Sequence, residues 1–261
     1  MESESAKAAG KSLKNTVIFD VIPLSANFRS TLTPMDKADQ NLRSRLFTTQ
    51  LYVVLDGGES RDDFTRRAQA IVDAGAGAVQ LREKRLADRC LLERARILRD
   101  ITRSTKTLLI INDRPDIARL SDADGVHLGQ DDLLASAARQ LLPHGRLIGI
   151  STHDAKQAHE AVHTQQADYI GVGPTFPSLT KSFHHFPGLS LLEQVAQYET
   201  VPSFAIGGIH LENLDKVLRT GIHRVAVSSA IQAAVDSGVE VKKFLSQLQR
   251  YEISKAPNPA T

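Results

Sequence analysis

The side chains in this sequence that could do chemistry sit in polar clusters directly after short apolar runs. Leu108-Leu109-Ile110-Ile111 stops at Asn112-Asp113, and Gly125-Val126-His127-Leu128 stops at Gly129-Gln130-Asp131-Asp132. Neighbouring parallel strands lie about 4.8 Å apart, so carboxylates at the exits of two such strands reach a common cation. Asp113 and Asp132 are the candidates. A hard divalent ion that keeps several waters, and takes one or two carboxylates plus substrate phosphates, is typically Mg²⁺. A third run ends in Gln80-Leu81-Arg82-Glu83-Lys84, where alternation puts Gln80, Arg82 and Lys84 on one side. An amide, a guanidinium and an ammonium together suit an anion with several oxygens.

Further clusters extend the pattern. Leu147-Ile148-Gly149-Ile150 leads into Ser151-Thr152-His153, one of which is expected to cap the following helix, with a hydroxyl left for a substrate. No Ser-His-Asp arrangement surrounds Ser151, which argues against a nucleophilic serine. Tyr169-Ile170-Gly171-Val172 opens into a connection running to Gly188 that carries Ser178, Thr180 and Lys181. A connection of that length is commonly a binding loop. His184 and His185 within it are adjacent, without metal-ligand spacing, and read as surface histidines. Gly207-Gly208 and Ser228-Ser229 come after the last two apolar runs, where close backbone approach and a helix N-terminus favour phosphate. Two anion sites emerge: a cationic one with a metal, and one built from backbone and hydroxyls. His127 reads as a hydrogen-bonded core histidine, and Asp122 and Asp124 as turn residues at the opposite end.

The elements that must position these residues alternate regularly. Apolar runs begin at Leu51, Ala78, Leu108, Gly125, Leu147, Tyr169, Ser203 and Arg224, and helical patterns separate them. The pattern predicts helices over 62–73, 88–103, 116–120, 133–142, 154–165, 191–198, 211–219 and 239–248. Repeated strand–helix units over about 200 residues predict an α/β fold, a (β/α)₈ TIM barrel, with a doubly wound open sheet as the rival. The domain reading is an N-terminal extension over 1–48, partly disordered, a barrel over 49–251 and a disordered tail over 252–261. The small, polar first fifteen residues cannot bury enough surface to order themselves. Val17–Leu24 reads as an extra strand or packing arm, and Asp36–Phe47 as a short helix.

Bulk properties narrow the class. Basic residues number 32 against 30 acidic, so charge gives no reason to expect nucleic acid or an anionic membrane as partner. The single cysteine, Cys90, excludes an internal disulfide and reads as a packing residue in a helix. No apolar run approaches the ~20 residues of a membrane span, and the N-terminus lacks the pattern of a secretory signal. A cytoplasmic protein is the expectation, with small-molecule partners and a homo-oligomer left open.

The motifs Gln80–Lys84, Ile111–Arg114, Asp124–Gln130, Ser151–His153, Asp168–Pro174, Thr180-Lys181 and Ala205–Ile209 together resemble the thiamine-phosphate synthase family. The resemblance runs in order from about Leu51 to Ile231. It implies a (β/α)₈ enzyme that joins hydroxymethylpyrimidine diphosphate to a thiazole monophosphate, releasing pyrophosphate, with Mg²⁺. Carried over by position, it puts the pyrimidine diphosphate on Gln80, Arg82, Lys84, Asn112, Ser151 and Lys181, of which Arg82, Lys84, Ser151 and Lys181 are the catalytic set. Mg²⁺ falls to Asp113 and Asp132, and the thiazole phosphate to Ser178, Thr180, Gly207, Ser228 and Ser229. This sequence departs from the family at Ser178 and His210, where threonine is common, and in a shorter segment from Lys181 to Gly188. Two rival readings use the same fold. One is a thiazole tautomerase-like isomerase, which has no use for the metal set. The other is a non-catalytic regulatory barrel that binds thiamine intermediates.

Overall fold

Strands buried on both faces read as unbroken apolar runs rather than alternating ones, and Leu51-Tyr52-Val53-Val54-Leu55 is such a run, buried throughout. The computed structural model describes residues 37–58, 60–177 and 187–255. Within them the order is α1 (Lys37–Thr48), β1 (Leu51–Leu55), α2 (Arg61–Asp73), β2 (Ala78–Leu81), α3 (Asp88–Thr102) and β3 (Leu108–Asn112). Next come α4 (Pro115–Leu120), β4 (Gly125–Leu128), α5 (Ala135–Leu141), β5 (Leu147–Thr152), α6 (Ala155–His163) and β6 (Tyr169–Val172). The chain continues through α7 (Gly188–Tyr198), β7 (Ser203–Ile206), α8 (Leu211–Leu218), β8 (Val225–Val227), α9 (Ser229–Gln232) and α10 (Ser237–Lys255). The strands pair in sequence order, all parallel, and β8 closes onto β1. The sheet is therefore a closed barrel and the open doubly wound alternative is excluded. No helix among the described residues is long and apolar enough to cross a membrane.

Closure sorts side chains by parity. One set, including Val53, Val79, Leu109, Ile148 and Ile170, packs outward against the helices. The other set, including Tyr52, Ala78, Leu108, Leu147, Tyr169 and Phe204, fills the barrel interior. Phe204 meets Tyr52 and Tyr169 edge-on, at centroid distances of 5.3 and 5.7 Å, the favoured geometry for aromatic pairs. Tyr169 fits because its register partner on β5 has no side chain: a Cβ at Gly149 would lie 2.1 Å from the ring. Leu42 and Leu46 of α1 join the same interior cluster. This helix, placed by sequence in the extension, thus forms the barrel floor, and Arg45 fixes it by donating to the Thr107 carbonyl at 2.9 Å.

The floor also overturns the reading of Asp124 as a turn residue. Its buried carboxylate accepts the Leu109 amide at 2.8 Å and the Arg99 guanidinium at 3.1 Å, while its own amide donates to the Leu109 carbonyl at 2.9 Å. Asp168 repeats this clamp two strands further around the barrel. It accepts the Ile148 amide at 2.8 Å, donates to the Ile148 carbonyl at 2.8 Å, and holds Arg139 and Arg43. Asp122, by contrast, does occupy a left-handed turn position, with φ 55°. Other differences are local. The last helix runs to Lys255, past the expected tail boundary, because Val241, Phe244 and Leu248 keep burying one face and Glu252 accepts from Gln50 at 2.5 Å. Residues 1–36, with the expected arm at Val17–Leu24, and residues 256–261 lie outside the described residues.

Replacing Asp168 leaves two guanidinium groups and a strand amide without their acceptor. Asp168→Ala is expected to cost about 3 kcal/mol of unfolding free energy, read as a lowered urea midpoint. Asp100→Ala, which removes an exposed pair with Arg103, should cost less than about 1 kcal/mol. Equal, small losses would show that the clamp does not hold the floor.

Candidate active site

The mouth of the barrel is built from the segments that leave the C-terminal ends of the strands. After β3 the chain turns sharply at Asp113, whose φ of 61° is in the left-handed region and whose amide still donates to the His127 carbonyl at 2.8 Å. Pro115 then starts α4, where a missing amide hydrogen costs nothing. After β4, Asp132 folds back so that its carboxylate accepts the Gly129 amide at 2.7 Å. Glycine gives the carboxylate room here, since a Cβ at position 129 would lie 2.8 Å from the same carboxylate oxygen. Lys84 reaches over from the β2 exit and sets Nζ 3.1 Å from the Asp113 carboxylate. Arg114 is not part of this group, being held by Asp88 and Asp116 at 2.7 Å each.

Asp113 and Asp132 face each other. Burial, and then the adjoining Asp113 carboxyl, pushes the Asp132 carboxyl above the usual carboxylate range, against the pull of the Gly129 amide. Two carboxylates that share a site cannot both ionise freely unless a cation lies between them. The donor set, all oxygen and open to solvent on one side, fits a hard divalent ion.

Beneath this rim the interior is polar along one path. Gln80 is buried and its amide nitrogen donates to the Tyr52 hydroxyl at 2.9 Å. Tyr52 and Tyr169 share a hydrogen bond of 3.0 Å, Tyr169 meets His127 Nδ1 at 3.2 Å, and His127 Nε2 meets Ser151 Oγ at 2.9 Å. Burial pushes both phenols well above their ordinary pKa, so each keeps its single proton. With Gln80 donating, the arrangement in which every buried proton meets one of these acceptors runs outward from it. Tyr52 gives to Tyr169, Tyr169 to Nδ1, and Nε2–H to Ser151, whose own hydroxyl proton is directed to the cavity it lines.

That cavity, open to solvent, is bounded by Arg82, Ser151, Gly207, Gly208, Ser228 and Ser229 among others. Arg82 and Ser151, expected from sequence in one anion site, and Gly207, Ser228 and Ser229, expected in the other, thus line one cavity. Gly207 turns with φ 102°, and a Cβ there would lie 2.8 Å from Pro174 Cα. Ser228 Oγ accepts from Gln232 at 2.8 Å, and Gln232 also binds the β1 exit through the Asp56 amide and the Val54 carbonyl, both at 3.2 Å. Asn112 ends β3, half-buried and in register with His127. Ser178, Thr180 and Lys181, with His184 and His185, lie outside the described residues.

Sequence reasoning missed Tyr52, Tyr169 and His153. His153 lines the cavity and donates from Nδ1 to the Gly173 carbonyl at 2.6 Å. It also misplaced a cap: α6 is capped by Asp154, which accepts the Gln157 amide at 2.8 Å, and not by any of Ser151–His153. Parity could have found the two tyrosines, because Tyr52 and Tyr169 stand at inward positions on their strands, as Gln80, His127 and Ser151 do.

Known proteins give the same motif order a context. The sequence model of the thiamine monophosphate synthase family matches residues 51–231. A thiamine-phosphate synthase from Rhodopirellula baltica is 44% identical over 212 residues, covering 79% of this chain and 56% of that protein. One from Chloroflexus aurantiacus is 44% identical over 189 residues, covering 72% of this chain and 87% of that protein. The chain thus spans little more than half the length of some of the relatives it matches. Among solved structures, a thiamine phosphate pyrophosphorylase from Pyrococcus furiosus aligns with a TM-score of 0.70 at 33% identity, covering 80% of this chain and 98% of that one. The family match covers the strand exits described above, from β1 to the short helix after β8, and the chain belongs to the thiamine monophosphate synthase family.

Proposed function

We propose that this barrel joins 4-amino-2-methyl-5-hydroxymethylpyrimidine diphosphate to 4-methyl-5-(2-phosphoethyl)thiazole, giving thiamine phosphate and pyrophosphate. The observation that carries the reading is the opposed carboxylate pair, Asp113 and Asp132, with Lys84 beside it, at strand exits on the same end of the barrel as the cavity that Arg82 and Ser151 line. That grouping suits a diphosphate brought in with a cation. Asp113 and Asp132 would hold Mg²⁺, which supplies neutralisation of the leaving diphosphate when bound. A thiazole tautomerase, acting on a monophosphate, has no use for these carboxylates.

The roles of the chain's own residues derive from the charges that must develop. The attacking thiazole nitrogen bears no proton, so the new C–N bond requires no general base. The C–O bond to diphosphate breaks, and the pyrimidinylmethyl carbon becomes cationic, with charge delocalised from the ring amino group. Arg82, Lys84 and Lys181 neutralise the departing oxygens, and Ser151 donates its hydroxyl proton to one of them. Gln80 and Asn112 hold the pyrimidine substrate. Gly207, Ser228 and Ser229, with Ser178 and Thr180, take the thiazole phosphate through backbone amides and hydroxyls. The remaining contribution is placement of the two reactants on adjoining walls.

Purified protein with both substrates should release pyrophosphate only when Mg²⁺ is present. Folded protein that binds thiazole phosphate but releases none would favour the isomerase or the regulatory barrel. The interior chain gives a second expectation. Ser151→Ala should lower kcat by about 10²–10³-fold, the usual loss for one donor to developing charge. Tyr169→Phe removes the donor to Nδ1 and lets the imidazole take its other tautomer, which turns the Ser151 proton inward, so kcat should fall with little change in KM for thiazole phosphate. The double variant should be no slower than Ser151→Ala. Multiplying losses would reduce Tyr169 to a packing residue.

A further inference from the structure

His159 and His163 stand four residues apart on α6, a spacing that stacks side chains on one helix face. Their rings lie 4.3 Å apart, centroid to centroid. Glu199, the residue that ends α7, projects into the same place. Its side chain is only 3% exposed, and among the described residues its Oε2 atom has no hydrogen-bond partner. His163 Nε2 is 3.2 Å from Oε2, and His159 Nδ1 is 3.6 Å from Oε1. One donor atom from each of the three residues lies within 4.8 Å of the others.

We propose that His159, His163 and Glu199 form a binding site for a borderline divalent ion of the Zn²⁺ type, which ties α6 to α7. The separations support it: four-coordinate Zn²⁺ with bonds of about 2.0–2.1 Å needs neighbouring donors roughly 3.3 Å apart. Electrostatics supports it too. Glu199 sits at the C-terminus of α7 and His163 at that of α6, and both helix ends carry partial negative charge. A buried carboxylate at such a point is unfavourable without a cation. Two imidazoles and one carboxylate select Zn²⁺, Co²⁺ or Ni²⁺ over Mg²⁺. The partly exposed histidines, at 70% and 47%, leave a path for entry and a fourth position for water. Helices in this barrel run opposite to the strands, so these helix C-termini lie on the floor side, away from Asp113 and Asp132. The site is therefore separate from the mouth in both position and ligand chemistry.

The test is Zn²⁺ titration of the full chain by calorimetry in excess Mg²⁺, which keeps the mouth carboxylates occupied. One Zn²⁺ per chain is expected to compete for the trio and to raise the thermal midpoint. His159→Ala and His163→Ala, both at partly exposed positions, should each weaken that binding by about 100-fold or more, since loss of even an outer-shell partner costs about 10–100-fold. Glu199→Gln should do the same. Co²⁺ added in place of Zn²⁺ should give visible d–d absorption in the parent and not in His163→Ala. Zn²⁺ affinity and thermal shift unchanged in both histidine variants, or no Zn²⁺ bound at all, would overturn the proposal and leave the trio a histidine–carboxylate ion pair.

Discussion

A polar mouth can rest on an apolar barrel interior only if the layer between them has its hydrogen bonds satisfied, because an unpaired buried polar group costs about 1–3 kcal/mol. Here the layer is a single chain from Gln80 through Tyr52, Tyr169 and His127 to Ser151. It draws on β2, β1, β6, β4 and β5, so barrel closure is what brings its members together. Each tyrosine presents its ring to Phe204 below and its hydroxyl to the chain above. The aromatic layer is thus part of the core and part of the site. The consequence for chemistry is directional, since the orientation of one buried amide sets which way every hydroxyl in the series donates.

The opposite end of the barrel solves a different problem with one device used twice. Parallel strands begin with amides that their neighbours do not satisfy, and Asp124 and Asp168 each accept such an amide while neutralising arginines from surrounding helices. Helix α1 then covers the apolar opening with Leu42 and Leu46. Stability is concentrated at the floor and reactivity at the mouth, a division common in this architecture. Asp113 and Asp132 show the other side of that division. Burial, and then the approach of Asp113, raises the Asp132 carboxyl, so without a cation the folded state loses stability as pH rises through that raised value. The arrangement is strained in favour of binding.

The barrel was legible because its strands are unbroken apolar runs at regular intervals and their exits turn polar at once. Asp113 and Lys84, read as parts of one charged site, do meet, because strand adjacency follows sequence order in a barrel. Tyr52 and Tyr169 were legible only through strand parity, since an aromatic in a buried strand otherwise looks the same whether it faces helices or the interior. Asp124 read as a turn residue because its arginine partners, Arg99 in one helix and Arg45 in another, are distant in sequence. Glu199 gave no signal for a similar reason, as its histidines lie on the preceding helix. Sequence spacing does not show which side chains meet across elements.

The proposed chemistry requires a mouth with two chemically distinct walls, one of carboxylates and cations for a diphosphate and one of glycine backbone and hydroxyls for a monophosphate. The most direct measurement is calorimetric binding of each substrate to Asp113→Ala in the presence of Mg²⁺, with circular dichroism to establish that the variant is folded. Distinct walls predict loss of Mg²⁺-dependent pyrimidine diphosphate binding, with thiazole phosphate binding kept close to that of the parent. Equal loss of both from a folded variant would contradict them.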